Sequence, residues 1–142
     1  MSNLGGDPWD YISYYEEKKR QNKPKQMFVI RPIRDISDEL KLQIDSIIES
    51  YQADGYKIYD PLTMTNQKDK YGLRICEDNR QAIRDSDVVL FLWDGKSQGC
   101  LFDLGMAFAL MKPIRIDERA LPPKTDHKSF QNMIRRHQKL YG

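Results

Sequence analysis

Residues 88–93 read VVLFLW, an unbroken apolar run that lies between Asp87 and the pair Asp94-Gly95. A run of this length that is apolar at every position is typical of a β-strand covered on both faces, as in the middle of a parallel sheet. A helix that spans a bilayer needs about 20 apolar residues, so this run is too short to do so. We therefore predict that residues 88–93 form the central strand of a sheet that has helices on both sides.

The rest of the chain alternates between strand-like and helix-like patterns. Residues 27–33, 56–61 and 113–116 are rich in β-branched and aromatic side chains and are predicted strands. Helical spacing of apolar residues occurs over residues 39–52, 73–85 and 100–111, and the first of these lies between a capping Ser37 and Gly55. The predicted fold class is α/β, with a doubly wound parallel sheet.

The two ends of the chain have a different pattern. Aromatic residues followed by EEKKR predict a short amphipathic helix over about residues 8–21, and residues 129–142 predict a terminal helix. The chain has 142 residues, which suits one domain. We divide it into an N-terminal helical extension (1–25), an α/β domain (26–118) and a C-terminal extension (119–142).

Composition narrows the function classes. Lys and Arg total 23 and Asp and Glu total 21, a net charge of +2, which argues against a partner that is a nucleic-acid polymer. Cys76 and Cys100 have neither CxxC spacing nor a flanking His pair, so neither a disulfide framework nor a zinc site is expected. The N-terminus has no signal-peptide pattern. A cytoplasmic protein without a membrane segment is expected.

In a doubly wound sheet, ligands bind beyond the carboxyl ends of the strands. Several acids are predicted around that crevice: Asp35, Asp60, Asp94 and Asp103, with Glu77 and Asp78 on the helix before the central strand. Such a group could hold a hard cation, which needs three or more oxygen ligands. It could equally serve chemistry at an anomeric carbon, where one carboxylate attacks and another group protonates the leaving group.

Asp103 is the most informative of these acids. It follows a Gly-bearing loop and is predicted to lie in the first turn of its helix, where the helix dipole favours an ionised carboxylate. The alternative is that Asp103 merely caps or balances the helix.

The stretch of residues 86–114 resembles the nucleoside 2-deoxyribosyltransferases and the related 2′-deoxynucleoside 5′-phosphate N-hydrolases. The resemblance is carried by Ser97-Gln98-Gly99, then Phe102-Asp103-Leu104-Gly105, then Ala107, with six positions from Ser97 to the acid as in the hydrolases. It implies a Rossmann-like fold of the nucleoside 2-deoxyribosyltransferase type. The first strand, which ends in Arg31-Pro32 where the family usually has Gly-Pro, matches only in outline.

The resemblance assigns the catalytic roles. The family nucleophile is a Glu, and Asp103 stands in its place with a side chain that is shorter by one C–C bond. The second acid of the family falls on the preceding helix, where Glu77, Asp78 and Asn79 are candidates and the hydrolase-like register falls on Asn79. If Asn79 holds that place, the general acid is lost.

The resemblance also assigns substrate-binding residues. Ser97, with the backbone amides of Gly95 and Gly99, would hold a 5′-phosphate, and the alternative is a tight strand-to-helix turn. Asp94 in the same loop is a further candidate. Arg31 suits a phosphate or carboxylate on the ligand, or else an ordinary ion pair with a nearby acid. Trp93 and Phe102 are expected to pack in the core, with stacking on a base as the alternative.

Two functions follow. The first is cleavage or transfer at the N-glycosidic bond of a 2′-deoxynucleoside or nucleoside 5′-monophosphate, without a metal or organic cofactor. The second is a catalytically silent nucleotide-binding protein on the same fold, which senses or sequesters its ligand. The resemblance further implies a homo-oligomer in which a neighbour's C-terminal segment helps to close each site.

Overall fold

A computed structural model describes residues 23–142. The helix predicted over residues 8–21 lies outside the described residues. Within them the strands are β1 (Gln26–Ile30), β2 (Lys57–Tyr59), β3 (Val88–Phe91) and β4 (Ile114–Ile116). They form one sheet of order β2-β1-β3-β4, and every pairing is parallel. The predicted α/β class is confirmed, and β3, from the apolar run, is an inner strand.

Helices connect the strands. The described residues contain α1 (Asp38–Ala53), α2 (Pro61–Met64), α3 (Leu73–Asp85), α4 (Gln98–Ala109) and α5 (Phe130–Tyr141), with a 3₁₀ turn at Glu118–Ala120. Helix α2 begins two residues after β2 ends. Its start combines a proline at the first helical position with Asp60, whose Oδ1 accepts a hydrogen bond from the Leu62 N–H at 3.0 Å. None of the described helices is long and apolar enough to cross a bilayer.

Both faces of the sheet are buried, as the apolar run predicts. Alternate strand residues point to opposite faces, so each inner strand supplies side chains to two separate clusters. One cluster joins the sheet to α3, α4 and α5, and the other joins it to α1. The residues of the inner strands β1 and β3 in the first cluster are Phe28, Ile30, Val89 and Phe91, and those in the second are Met27, Val29, Val88 and Leu90.

Local signals fix the ends of α1. The Ser37 hydroxyl oxygen accepts a hydrogen bond from the Leu40 N–H at 3.1 Å, which satisfies a donor that the first turn leaves unpaired. At the other end, Gly55 has a φ of 99°, a conformation that L-residues with a side chain rarely adopt. The two residues chosen from sequence as start and stop signals therefore have those roles.

Helix α5 packs on β4 and closes one end of the larger cluster. Ile134 is fully buried there. The Ile116 N–H donates a hydrogen bond to Oε1 of Gln138 at 2.6 Å, and Arg135 donates to both carboxylate oxygens of Glu118. The C-terminal helix is thus held to the sheet by apolar and polar contacts together.

The strand order places a crevice between β1 and β3. From β1 the chain passes through α1 to β2, which lies on one side of the β1/β3 pair. From β3 it passes through α4 to β4, which lies on the other side. The connections therefore leave β1 and β3 in opposite directions, and their carboxyl ends are not covered by a crossing helix. This switch point is where open α/β sheets bind ligands.

Helix α5 supplies a test of this packing. We expect Ile134→Ala to lower the free energy of unfolding by about 2–5 kcal/mol, because it removes a fully buried side chain and leaves a cavity. Leu140→Ala, on the same helix with 58% of the side chain exposed, should change it by less than about 0.5 kcal/mol. Urea unfolding of both variants measures the difference, and equal losses would contradict the described docking of α5.

Candidate functional site

A cavity of about 560 Å³ opens at the carboxyl ends of β1 and β3. Its walls come from the loops that follow β1 and β3, the segment between β2 and α3, and the facing sides of α3 and α4. Among the residues singled out from the sequence, the lining includes Arg31, Asn79, Asp94, Ser97, Gly99, Phe102 and Asp103. Glu77, Asp78 and Gly95 do not line it.

Asp103 lies in the second turn of α4, because the helix begins at Gln98 with Ser97 as its cap. The predicted place in the first turn was wrong, and with it the predicted effect of the helix dipole, which fades beyond that turn. Burial raises the pKa of the Asp103 carboxyl from 3.8 to about 7, and a hydrogen bond from Asn79 offsets only part of this rise. At neutral pH the carboxyl is therefore present in both protonation states.

Asn79 links Asp103 to the opposite wall of the cavity. Its Nδ2 donates to Oδ2 of Asp103 at 3.3 Å, while its Oδ1 accepts from the Thr65 hydroxyl at 2.8 Å. The Tyr59 hydroxyl oxygen lies 2.8 Å from Oγ1 of Thr65. Asn79 and Thr65 are both buried.

The direction of these hydrogen bonds follows from counting protons. Thr65 has one hydroxyl proton, which it gives to Asn79, so Tyr59 must donate to Thr65. Since the amide oxygen of Asn79 is occupied, its NH₂ group is the end that faces Asp103. The chain of bonds thus presents a fixed N–H donor to one carboxylate oxygen. The other oxygen of Asp103, Oδ1, accepts no hydrogen bond from residues 23–142.

Glu77 and Asp78 lie away from the cavity. Both are exposed, and Oδ2 of Asp78 is 4.0 Å from Nε of Arg74 on the same helix. Successive residues of an α-helix are rotated by about 100°, so a helix that turns Asn79 inward turns its two predecessors outward. Of the three candidates for the second acid, the structure brings Asn79 to Asp103 and leaves the two acids in solvent.

Asp69 sets the start of α3 and hence the position of Asn79. The residue before this helix is Gly72, with a φ of 77° and no side chain to cap the first turn. Oδ2 of Asp69 accepts from the N–H groups of Arg74 at 2.7 Å and Ile75 at 3.1 Å instead. Hydrogen bonds from the backbone of Ile75, Tyr71 and Arg74 hold the pKa of Asp69 below its usual value.

The loop between β3 and α4 is organised around Asp94. Its Oδ1 accepts from the N–H groups of Lys96 at 2.9 Å and Ser97 at 2.8 Å, so these two amides are occupied. Gly95 has a φ of 79°, and a Cβ there would lie 3.2 Å from Cγ of Pro122, so this position requires glycine. The structure gives Gly95 a role in the turn and does not bring it to the cavity.

The start of α4 leaves donors at the cavity wall. The Ser97 hydroxyl oxygen accepts from the Cys100 N–H at 3.3 Å, and its own proton can still be donated. Gln98 and Gly99 are the first helical residues, and N–H groups at these positions have no intrahelical acceptor. A helix start with such donors suits an anionic group.

Arg31 forms ion pairs with nearby acids, which is one of the two roles predicted for it from the sequence. Its buried Nη1 lies 3.3 Å from Oδ1 of Asp45 and 3.2 Å from Oδ2 of Asp60. Nε and Nη2 are buried and have no hydrogen-bond acceptor among the described residues. A guanidinium in this state holds the ends of β1 and β2 together, and its two other donor atoms are buried.

The two aromatic candidates differ. Trp93 is buried against Phe91 and Phe130, and its Nε1 donates to the Ser97 carbonyl at 3.1 Å, which agrees with packing. Phe102, in contrast, is 57% exposed at the cavity wall. Its predicted place in the core was wrong, because Phe102 precedes the inward-facing Leu104 by two positions and so points to the other side of α4.

Sequence reasoning missed several residues of the cavity wall, among them Gln67, Ile75 and Cys76. It also missed Thr65, which donates a hydrogen bond to Asn79. No feature of the sequence shows where the polar segment that contains Thr65 and Gln67 folds back. Ile75 and Cys76 precede Asn79 by four and three positions, so helical spacing could have found them. Among residues 23–142, no three His, Cys, Asp or Glu side chains form a potential metal cluster.

The sequence model of the nucleoside 2-deoxyribosyltransferase family matches residues 32–131, which is well over half of the chain. This chain belongs to that family. The match contains every described residue of the cavity wall except Arg31. A comparison with curated proteins found no match. Membership confirms the resemblance seen in residues 86–114 and indicates an enzyme of the deoxyribosyltransferase type that acts on nucleosides.

Burial of Asp103 predicts a pH-dependent stability. The pKa in the folded state, about 7, exceeds the usual value of 3.8, so the folded state loses stability as the pH rises between these values. Asp103→Asn removes that loss. The quantity to compare is the unfolding free energy of Asp103→Asn minus that of the wild type. We expect this difference to be roughly 2 kcal/mol larger at pH 8 than at pH 5, after an allowance for water in the cavity.

Urea unfolding at the two pH values measures this difference. Asp85→Asn, which changes an exposed carboxylate at the end of α3, is the matched control and should show no such dependence. If Asp103→Asn behaves like the control, the carboxyl of Asp103 is not buried as described.

Proposed function

We propose that this protein cleaves or exchanges the N-glycosidic bond of a 2′-deoxynucleoside or a nucleoside 5′-monophosphate, with Asp103 as the nucleophile. The observation that carries the proposal is the buried Asp103 carboxyl in a cavity at the β1/β3 switch point, with one oxygen held by Asn79 and the other without a partner among the described residues. Asp103 also occupies the position of the acid in the family motif.

The geometry suits attack at an anomeric carbon. Oδ1 of Asp103 would attack C1′ while Oδ2 stays hydrogen-bonded to Asn79, which fixes the plane of the carboxylate. A carboxylate with a raised pKa is a better nucleophile than one at its usual value, provided that it is ionised. Water or a second base would then release the sugar from Asp103, giving hydrolysis or transfer.

The donors on the loop and helix start would hold the sugar or its phosphate. Ser97, Gln98 and Gly99 line the cavity and carry hydroxyl and N–H donors, and Lys96 and Arg34 add positive charge to its lining. The second oxygen of Asp94 is placed to accept from a sugar hydroxyl. Arg31 supports this wall through its ion pair with Asp60.

The silent nucleotide-binding protein remains the second candidate. The motivating observation is that Asn79 occupies the place facing Asp103, where the resemblance expects an acid, while Glu77 and Asp78 point to solvent. Such a protein would keep the cavity and its donors but release no base. Assembly into homo-oligomers and a cytoplasmic location stay predictions.

The first test is chromatographic detection of free base. The protein is incubated with ribo- and 2′-deoxyribonucleosides and their 5′-monophosphates, with and without a second base as acceptor. We expect release or exchange with at least one substrate, and a loss of at least about 1,000-fold in Asp103→Ala, because the covalent route is removed. Asp85→Ala, on the surface of α3, should keep wild-type activity.

Each other result has a definite meaning. Binding of nucleotides without release, at protein concentrations similar to that of the substrate, would favour the silent binding protein. If the protein shows no binding of any nucleotide and no release of base, the proposed function is overturned. Glu77→Gln and Asp78→Asn in the same assay show whether either exposed acid contributes to the reaction.

The raised pKa of Asp103 predicts the pH profile. The nucleophile must be ionised, so we expect kcat/KM to rise about tenfold per pH unit below pH 7 and to level off above it. The measurement is a pH series under single-turnover conditions, with a stability check at each pH. A flat profile between pH 5 and 8 would contradict the assignment of Asp103 as nucleophile.

A further inference from the structure

We propose that the site is specific for N-glycosides whose base carries a positive charge, such as a pyridinium or an N-alkylated purine, because such a base leaves as a neutral molecule. This inference rests on the proposed function and names its substrate class. The juxtaposition that carries it is the Asn79 amide held against the Asp103 carboxyl, in a cavity where Asp103 has no cationic partner among residues 23–142.

The leaving group decides what an N-glycosidase needs. When the base is neutral in the substrate, the bond breaks toward an anion, and a general acid that protonates the base typically contributes about 10²–10⁴-fold. When the base is already cationic, the electron pair of the broken bond neutralises the ring and no proton is required. A site without a general acid beside the nucleophile therefore discriminates between these two classes.

Asn79 occupies the place of a proton donor but cannot act as one. Its amide is oriented by Thr65, which is itself held by Tyr59, so the NH₂ group points to Asp103 in a fixed geometry. An amide N–H donates a hydrogen bond and keeps its proton. The buried network is thus built to position the carboxylate and not to transfer a proton.

Other groups near Asp103 do not replace the acid. Burial and the charge of Asp103 raise the pKa of the Cys76 thiol, which makes it a weaker proton donor. Oδ1 of Asp94 accepts two backbone hydrogen bonds, which fix this carboxyl in the loop after β3. Arg31 and Arg34 hold their protons at every physiological pH.

Two features of the cavity would attract a base with a positive charge. The negative charge of ionised Asp103 is not balanced by an ion pair among the described residues, so a cation in the cavity would stabilise it. Phe102 presents a half-exposed aromatic ring at the cavity wall, and a positively charged ring over its face is attracted to the π-electrons.

The reaction balances without another reagent. Oδ1 of Asp103 forms a bond to C1′, the bond from C1′ to the ring nitrogen breaks, and its electron pair remains on the nitrogen, which becomes neutral. Water then attacks C1′, the bond to Oδ1 breaks, and Asp103 recovers its charge. One proton from that water is released to solvent for each turnover. Hydrolysis of a neutral nucleotide releases none, because the departing base takes the proton.

The test uses pairs of substrates that differ in charge and little else. 7-Methylguanosine 5′-monophosphate is compared with guanosine 5′-monophosphate, and nicotinamide mononucleotide with its neutral dihydro form, each in ribo and 2′-deoxy forms. Each enzymatic rate is divided by the rate without enzyme, since cationic glycosides are also less stable in water. We expect the wild-type protein to accelerate cleavage of the cationic member of at least one pair by about 100-fold more than that of its neutral partner.

Asn79→Asp is the matched variant, because the aspartic acid side chain has nearly the same shape as asparagine and, in its protonated form, carries a transferable proton. We expect it to raise the acceleration for the neutral member, relative to that for the cationic member, by about 100-fold. Proton release, followed in weak buffer, should be one per turnover for the cationic substrate. The comparison in the wild-type protein remains decisive if the variant does not fold.

The outcomes separate the two proposals. Equal or greater acceleration for the neutral member of both pairs would overturn the charge specificity and leave the proposed function intact. If no base is released from any of the substrates, the proposed function itself is overturned. Release from one pair alone would support the inference and identify whether the pyridinium or the alkylated purine is the relevant chemistry.

Discussion

The parallel pairing of β1 with β3 is the constraint on which the rest of the structure depends. These two strands are buried on both faces, so helices must lie on each side, and the chain must leave the pair in opposite directions. The uncovered carboxyl ends then form the cavity. Arg31 and Asp94 line that cavity because each follows closely after one of these strands.

A short polar network is inserted between α3 and α4 at that cavity. Burying a carboxyl opposes folding, and the structure offsets only part of this effect with one hydrogen bond from Asn79. Thr65 and Tyr59 complete the network, so the buried amide has partners at both ends. The group that we propose as the nucleophile therefore also makes the fold less stable at neutral pH, a cost that is common for functional residues.

The sequence predicted the fold more completely than the site, for physical reasons. The apolar run of β3, the capping Ser37 and the stop at Gly55 are local signals, and their places in the structure agree with them. The helix-start prediction failed at α4 because Ser97 takes the cap position, which moves Asp103 into the second turn. The partners of Asp103 and Arg31 depend on how distant segments meet, and spacing along the chain does not contain that information.

The contact between Gln138 and β4 bears on how the molecule can associate. β4 is an edge strand, and edge strands with free backbone donors invite another strand to add to the sheet. Here the N–H group of Ile116 is taken by the Gln138 side chain, and α5 packs against this short strand. The C-terminal helix thus protects this edge from strand addition, and among residues 23–142 the other edge strand of the sheet is β2.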